Sequence, residues 1–135
     1  MSYKIEEIEG IGPAFAEKLA AASIDTTDDL LERCSDPKGR KAVADETDLS
    51  PKLVLKWTNM ADLMRISGVG GEYAELLEAA GVDTVKELRN RNAANLAAKM
   101  KEVNEEKELT RANPGAGQVE KWVEEAKTLE ITLTY

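Results

Sequence analysis

Two short glycine-containing segments are the part of this chain that could do chemistry, by binding an anion. The first is Gly10-Ile11-Gly12 and the second is Gly68-Val69-Gly70. Glycine lets the backbone approach a ligand closely and adopt a positive φ, and the first N–H groups of a following helix have no partner within that helix. A turn of this kind can offer its amide protons to a phosphate group.

Both segments belong to an internal repeat. Residues 8–30 align without a gap with residues 66–88, at an offset of 58, and 11 of the 23 aligned positions are identical. Internal similarity of this extent indicates duplicated structural units. We therefore expect two copies of one unit, each with its own glycine turn.

Proline and capping residues predict where the surrounding helices begin. Pro13 suits the first position of a helix, where its missing N–H costs nothing. Asp36-Pro37 and Ser50-Pro51 each place a capping residue before such a proline, and Thr26 is expected to cap a further helix. Together with apolar periodicity, these signals predict an entry helix at 3–8 and further helices at 13–22, 37–47, 51–66, 71–80, 85–91, 93–108 and 114–130.

Apolar residues at helical spacing predict the core. Trp57 and Trp122 lie on the apolar stripes of two of these helices, and we expect both to be buried. Cys34 is expected to be a small buried hydrophobic residue. The last residues, 131–135, alternate as a strand does, and they either pack on the chain as an extended tail or pair with another molecule.

Composition favours a globular all-α protein. Charged residues make up 33% of the sequence and aromatic residues only 4%, so the core must consist mainly of Leu, Ile, Val and Ala. The net charge of −8 indicates an acidic surface that repels polyanions at long range. No segment approaches the roughly 20 apolar residues of a membrane span, and the amino terminus lacks the apolar core of a secretory signal. We therefore expect a cytoplasmic protein with no membrane contact.

The sequence offers little for catalysis. It contains no histidine, so it has neither an imidazole base nor a histidine metal ligand. Cys34 lacks an imidazole partner that would activate it as a nucleophile. No phosphate-binding loop or dinucleotide fingerprint follows a strand. We therefore expect a binding protein rather than an enzyme, with no cofactor and no metal.

The residues around the two turns resemble the helix-hairpin-helix motif. That motif combines apolar positions, a Gly-hydrophobic-Gly turn, a small residue and a leucine at fixed spacing. Here the matching positions are Ile5, Ile8, Gly10, Ile11, Gly12, Ala16 and Leu19, and again Leu63, Ile66, Gly68, Val69, Gly70, Ala74 and Leu77.

The whole chain is similar to an uncharacterised bacterial family of tandem helix-hairpin-helix proteins, known only as a domain of unknown function. The resemblance implies two fused helix-hairpin-helix units that share a central helix. We place the first unit at 1–58, the second at 59–130 and an extended tail at 131–135.

The resemblance also implies a function, which is weak binding of the DNA backbone without sequence specificity. Backbone contacts of this kind position a protein but do not select bases. The residues expected to contact nucleic acid are the two turns and nearby cations, namely Gly10, Ile11, Gly12, Lys18, Gly68, Val69, Gly70, Lys38, Arg40 and Lys41.

The sequence departs from the DNA-binding pattern directly after each turn. DNA-binding hairpins usually carry Lys or Arg there, whereas this chain has Pro13-Ala14-Phe15 after the first turn and Gly71-Glu72-Tyr73 after the second. The alternative function is therefore a protein-interaction scaffold that kept the fold and lost DNA binding. A protein partner or a second copy would then meet the tail or the exposed faces of 93–108 and 114–130.

Overall fold

The computed structural model of the protein describes residues 2–135, which form helices and no β-strand. A short 3-10 helix, Ile5–Glu7, comes first. The α-helices that follow are α1 (Pro13–Ala21), α2 (Thr27–Arg33), α3 (Pro37–Thr47), α4 (Pro51–Leu63), α5 (Gly71–Ala79), α6 (Val85–Leu88), α7 (Ala93–Lys107) and α8 (Ala116–Thr128). The predicted all-α fold is confirmed.

Local capping explains the helix starts that the sequence predicts. α1, α3 and α4 each begin at the predicted proline. The Asp36 carboxylate accepts a hydrogen bond from the Gly39 N–H at 2.7 Å, and the Ser50 hydroxyl accepts one from the Lys52 N–H at 3.2 Å. These bonds satisfy donors that the first turn of a helix leaves without a partner.

Several boundaries differ from the prediction. Gly115 is the N-cap of α8 in an extended conformation, so the helix begins two residues after Pro114. α6 ends at Leu88 because the helical pattern stops there: the Asn90 and Arg91 N–H groups donate three residues back, to the Glu87 and Leu88 carbonyls, both at 3.1 Å. The predicted entry helix is only a 3-10 turn, since the backbone is already extended at Ile8.

The two copies of the repeat have matching backbones. We call Gly10-Ile11-Gly12 the first turn and Gly68-Val69-Gly70 the second turn. Gly10 has φ +94° and Gly68 has φ +86°, a region that glycine enters without steric cost. Ser23 and Gly81, which are also 58 positions apart, follow α1 and α5 with φ values of 65° and 97°. The sequence repeat is therefore a structural repeat.

A tryptophan packs behind each turn, and both tryptophans are buried, as the apolar stripes predict. Trp57 and Trp122 are each only 2% exposed. The Phe15 and Trp57 ring centroids are 5.2 Å apart with planes at 55°, and those of Tyr73 and Trp122 are 5.2 Å apart at 57°. Tilted aromatic pairs of this geometry add to the stability gained from burial.

The copies join through α4 and the helices that follow it. α4 packs against α2 and α3 of the first copy and against α5 of the second. Buried residues of both copies form one continuous core. At the end of α4, Asp62 is 3% exposed, and its carboxylate accepts hydrogen bonds from the Val85 N–H and from Arg65 Nη1, both at 2.8 Å. The boundary expected between residues 58 and 59 lies within α4 and stays a prediction.

The tail packs on its own chain as an extended segment. The Thr134 N–H donates to the Ser35 carbonyl at 2.8 Å, and the Tyr135 hydroxyl donates to Asn59 Oδ1 at 2.7 Å. Leu133 is buried. Of the two alternatives for 131–135, the structure therefore favours the packed tail, which connects the end of the second copy to the first.

Candidate nucleic-acid interface

The residues of the first turn differ in their exposure to solvent. Gly10 and Gly12 are exposed, whereas the Ile11 side chain is buried in the core. The Ile11 N–H donates to the Ile8 carbonyl at 3.1 Å, so this amide is already satisfied. Of the three predicted contact residues in the first turn, Ile11 therefore anchors the turn and has no free donor for a ligand.

Gly12 is the N-cap of α1, and nothing within the chain requires it to lack a side chain. Its φ of −83° and ψ of −178° are extended values that any residue adopts, and no atom lies within 4 Å of where a Cβ would be. No side chain caps α1. Since Pro13 has no N–H, the amides that face outward from the start of α1 are those of Ala14 and Phe15.

The second turn has the same backbone in different surroundings. The Val69 side chain is buried, and its N–H donates to the Ile66 carbonyl at 3.1 Å, as Ile11 does in the first turn. Gly70 is extended, with φ −92°, and has open space beside it. Gly71, in contrast, is buried, and a Cβ on it would overlap the carbonyl oxygen of Glu7. The start of α5 is therefore packed directly on the backbone that leads into the first turn.

The predicted cations have unequal access to solvent. Lys18 is exposed in the last turn of α1, and Lys38 and Lys41 are exposed on α3. Because α1 and α3 pack against each other, these three lysines lie on neighbouring helices. They carry no side-chain hydrogen bond or ion pair among residues 2–135, so their ammonium groups are available to a ligand.

Arg40, the fourth predicted cation, is 8% exposed. Its guanidinium donates to the Cys34 carbonyl at 3.0 Å and to the Thr134 carbonyl at 2.6 Å, and it lies 5.1 Å from the centre of the Tyr135 ring. These contacts hold the tail against α3. Arg40 has a structural role here, which counts against it as a phosphate contact.

Carboxylates surround the junction between the two turns. Burial raises the pKa of Glu9 above its usual value of 4.5, and the nearby charges of Glu75, Glu72 and Glu7 raise that pKa further. A raised carboxyl pKa beside other carboxylates reports a negative local potential. This potential opposes phosphate binding at the first turn.

Replacing Glu9 by glutamine is expected to stabilise the protein at pH 7, with Tm rising by about 1–2 °C. The raised pKa means that the folded state holds this proton more tightly than the unfolded state. Stability therefore falls as pH rises from 4.5 through the folded-state pKa, and the charged form carries the penalty above it. Thermal melts of both proteins at pH 7 and near pH 3 should show the difference at pH 7 only.

The matched control for this change is Glu17→Gln, which removes one exposed carboxylate from α1 and so makes the same change in net charge. A Tm gain of equal size in Glu17→Gln would assign the effect to net charge rather than to the carboxylates at the junction.

One residue at the second turn was not anticipated from the sequence. The Glu125 carboxylate on α8 accepts hydrogen bonds from Ser67, the residue that precedes the second turn. Aligning the two tryptophans would have given a signal, because position 125 follows Trp122 by three residues and Met60 follows Trp57 by three. A carboxylate in place of a buried methionine marks a difference between the copies.

Residues 2–135 hold neither a metal-binding cluster nor a membrane-spanning helix. This part of the chain contains no cluster of three or more Cys, Asp or Glu side chains suited to holding a metal ion. None of its helices has the combined length and hydropathy that crossing a membrane requires.

Residues 9–129 match the model of a family described as a domain of unknown function (DUF4332). The chain belongs to this family. The matched region begins just before the first turn and ends just after α8, so it contains both copies of the repeat. No curated protein and no solved structure matches the chain.

Proposed function

We propose that this DUF4332 protein is a non-catalytic module of two helix-hairpin-helix units that binds the nucleic-acid backbone weakly and without sequence preference. The observation that carries the proposal is Gly12, which is exposed, extended and free of any contact that would exclude a side chain. A glycine at such a position leaves room for a ligand to reach the backbone. The outward amides of Ala14 and Phe15 can then donate to one phosphate group.

Charge sets the expected strength of this binding. Lys18, Lys38 and Lys41 supply cations on α1 and α3, while the net charge of −8 and the carboxylates near Glu9 oppose a polyanion. A protein that neutralises only a few phosphates gains little binding free energy from counterion release, so its affinity is low, and rising salt lowers that affinity further. We expect micromolar affinity at low salt and little binding at physiological salt.

The test is fluorescence anisotropy with labelled duplex and single-stranded DNA at about 50 mM salt, where backbone contacts are favoured. The test variant is Gly12→Thr. Threonine suits both the extended backbone and the N-cap position, and its hydroxyl would accept the hydrogen bonds that a phosphate would otherwise take. We expect wild type to bind with micromolar affinity and Gly12→Thr to bind at least about fivefold more weakly.

The matched control is Gly115→Thr. Gly115 is the N-cap of α8 and also has no atom within 4 Å of where a Cβ would be, so the same substitution is made at a helix start outside the two turns. We expect this variant to bind DNA as wild type does. Absence of binding at micromolar protein, or equal affinity of wild type and Gly12→Thr, would contradict the proposal.

A protein-interaction scaffold is the second candidate, and the carboxylates at the junction favour it. Glu7, Glu72 and Glu75 lie close enough to Glu9 to raise its pKa, and these carboxylates beside the first turn repel phosphate. Since the tail packs on its own chain, the surfaces left for a partner are the exposed faces of α7 and α8. Light scattering coupled to size exclusion tests self-association, and a pull-down tests other partners. A monomer that recovers no partner would count heavily against this function.

A further inference from the structure

A carboxylate of the protein itself lies on the second turn. Both oxygens of Glu125 are 3.2 Å from the Ser67 backbone nitrogen, and Oε2 is 3.3 Å from the Ser67 hydroxyl. Ser67 directly precedes Gly68, and Glu125 belongs to α8, which packs behind this turn. The Glu125 carboxylate therefore already accepts hydrogen bonds from the N–H and hydroxyl donors that precede the second turn.

The fold does not need this carboxylate, because the first copy forms the same turn without one. Trp57 and Trp122 pack behind the two turns with nearly equal geometry. The residue three positions after Trp57 is Met60, which is buried in the core. The contact between Glu125 and Ser67 is thus an addition in the second copy to a turn whose backbone the first copy forms without a carboxylate.

The surroundings of this carboxylate suit an oxyanion. A cavity of about 470 Å³ lies between the second turn and α8, lined by Ser67, Gly68, Gln118, Lys121, Trp122 and Glu125. Its lining offers an amide N–H, a hydroxyl, a carboxamide and an ammonium group as donors. Charge-assisted hydrogen bonds from such donors bind phosphate oxygens strongly. Glu125 is the only acidic residue of the lining.

We propose that the second turn is a phosphate site that the Glu125 carboxylate occupies in the free protein. The carboxylate and an external phosphate compete for the Ser67 donors, so Glu125 is an autoinhibitory contact. This inference extends the proposed function, since the phosphates of a nucleic-acid backbone are one source of the ligand and inorganic phosphate is another. Binding at both turns would give the chain two backbone contacts in place of one.

The direct test follows the Ser67 and Gly68 amide resonances by NMR during titration with inorganic phosphate at constant ionic strength. The test variant is Glu125→Ala. The control is Glu124→Ala, which removes the neighbouring exposed carboxylate, paired with Lys127 at 3.0 Å, and so makes the same charge change. We expect saturable shifts in Glu125→Ala, with affinity at least about fivefold above that of wild type and of Glu124→Ala.

The second arm repeats the anisotropy experiment with duplex DNA at about 50 mM salt. We expect Glu125→Ala to bind DNA several times more tightly than Glu124→Ala. A phosphate response without a gain in DNA affinity would assign the site to free phosphate. Unresponsive Ser67 and Gly68 amides in Glu125→Ala, or equal gains in both variants, would overturn the inference.

The phosphate arm separates this inference from the proposed function. The phosphate titration measures binding at the Ser67 and Gly68 amides themselves. Its result therefore tests this inference even when the first turn binds no DNA. Should Glu125→Ala fail to fold by circular dichroism, Glu125→Gln keeps the shape of the side chain and removes its charge. In that variant the same phosphate titration is expected to show a smaller gain over Glu124→Gln, and no gain would again overturn the inference.

Discussion

Replacing Asp62 by alanine is expected to destabilise the protein by about 3 kcal/mol. The Asp62 carboxylate is 3% exposed and binds two groups, with Oδ1 2.8 Å from Arg65 Nη1 and Oδ2 2.8 Å from the Val85 backbone nitrogen. Alanine would leave the buried N–H at the start of α6 without an acceptor and would remove the partner of a largely buried guanidinium. Each loss costs more than a typical hydrogen bond contributes.

This network also explains why one side chain has so large an effect. Arg65 Nη2 donates to the Glu130 carbonyl at 2.7 Å, so the residues that Asp62 joins belong to α4, α6 and the segment after α8. Removing the carboxylate therefore weakens the attachment of α6, and through Arg65 that of the segment after α8, to the end of α4. Interactions within one network are not additive, and the first deletion carries most of the cost.

Urea denaturation and thermal melts measure this change, and we expect Tm to fall by about 10 °C. Asp62→Asn keeps one acceptor oxygen and should recover part of the loss. Asp45→Ala, which removes an exposed carboxylate from α3, is the control and should change stability by less than about 0.5 kcal/mol. If Asp62→Ala proved as stable as Asp45→Ala, the hydrogen bonds of Asp62 would not stabilise the folded protein.

Replacing Gly71 by serine is expected to destabilise the protein by about 2–3 kcal/mol. A Cβ at Gly71 would overlap the carbonyl oxygen of Glu7, and it would come within 3.3 Å of the Glu9 nitrogen. Both obstacles are backbone atoms, which cannot rotate away as a side chain can. The start of α5 would have to move off the first turn, which disrupts the packing of one copy against the other.

The neighbouring glycine provides a matched control. Gly70 is the N-cap of α5, is extended and has no atom within 4 Å of where a Cβ would lie. Because serine is a favoured N-cap residue, Gly70→Ser should be neutral or slightly stabilising. Urea denaturation of the two variants compares them directly. Equal stabilities would mean that the copies do not make this close backbone contact.

Much of the local structure was predictable because its causes are local in sequence. Pro13, Pro37 and Pro51 each occupy the first position of a helix, and a cap at Asp36 needs only an amide three residues away. The repeat, whose copies are offset by 58 residues, predicted a second turn with the backbone of the first. The two tryptophans were correctly placed in the core. These features depend on chain geometry over a few residues, or on one apolar face.

The candidate site was only partly predictable, because its residues come together through contacts between distant segments. Arg40 belongs by sequence to a basic cluster, yet its guanidinium donates a hydrogen bond to the carbonyl of Thr134, which lies 94 positions away. Gly71 resembles a turn glycine, yet the backbone of Glu7 is what excludes a side chain there. Glu125 meets Ser67 across 58 positions. Charge and residue type do not indicate such pairings before the helices have packed.

The sequence by itself determined the helical class, most of the helix starts and the duplicated glycine turns, since helical periodicity, capping and positive φ act within one or two helical turns. Tertiary structure alone decided how the two turns differ. Packing leaves Gly12 and Gly70 alike in open space, but it places Gly71 against the backbone of Glu7 and brings Glu125 onto the second turn. The physical reason is that burial and charge depend on every segment that packs around a residue, whereas backbone preference depends mainly on its neighbours in the chain.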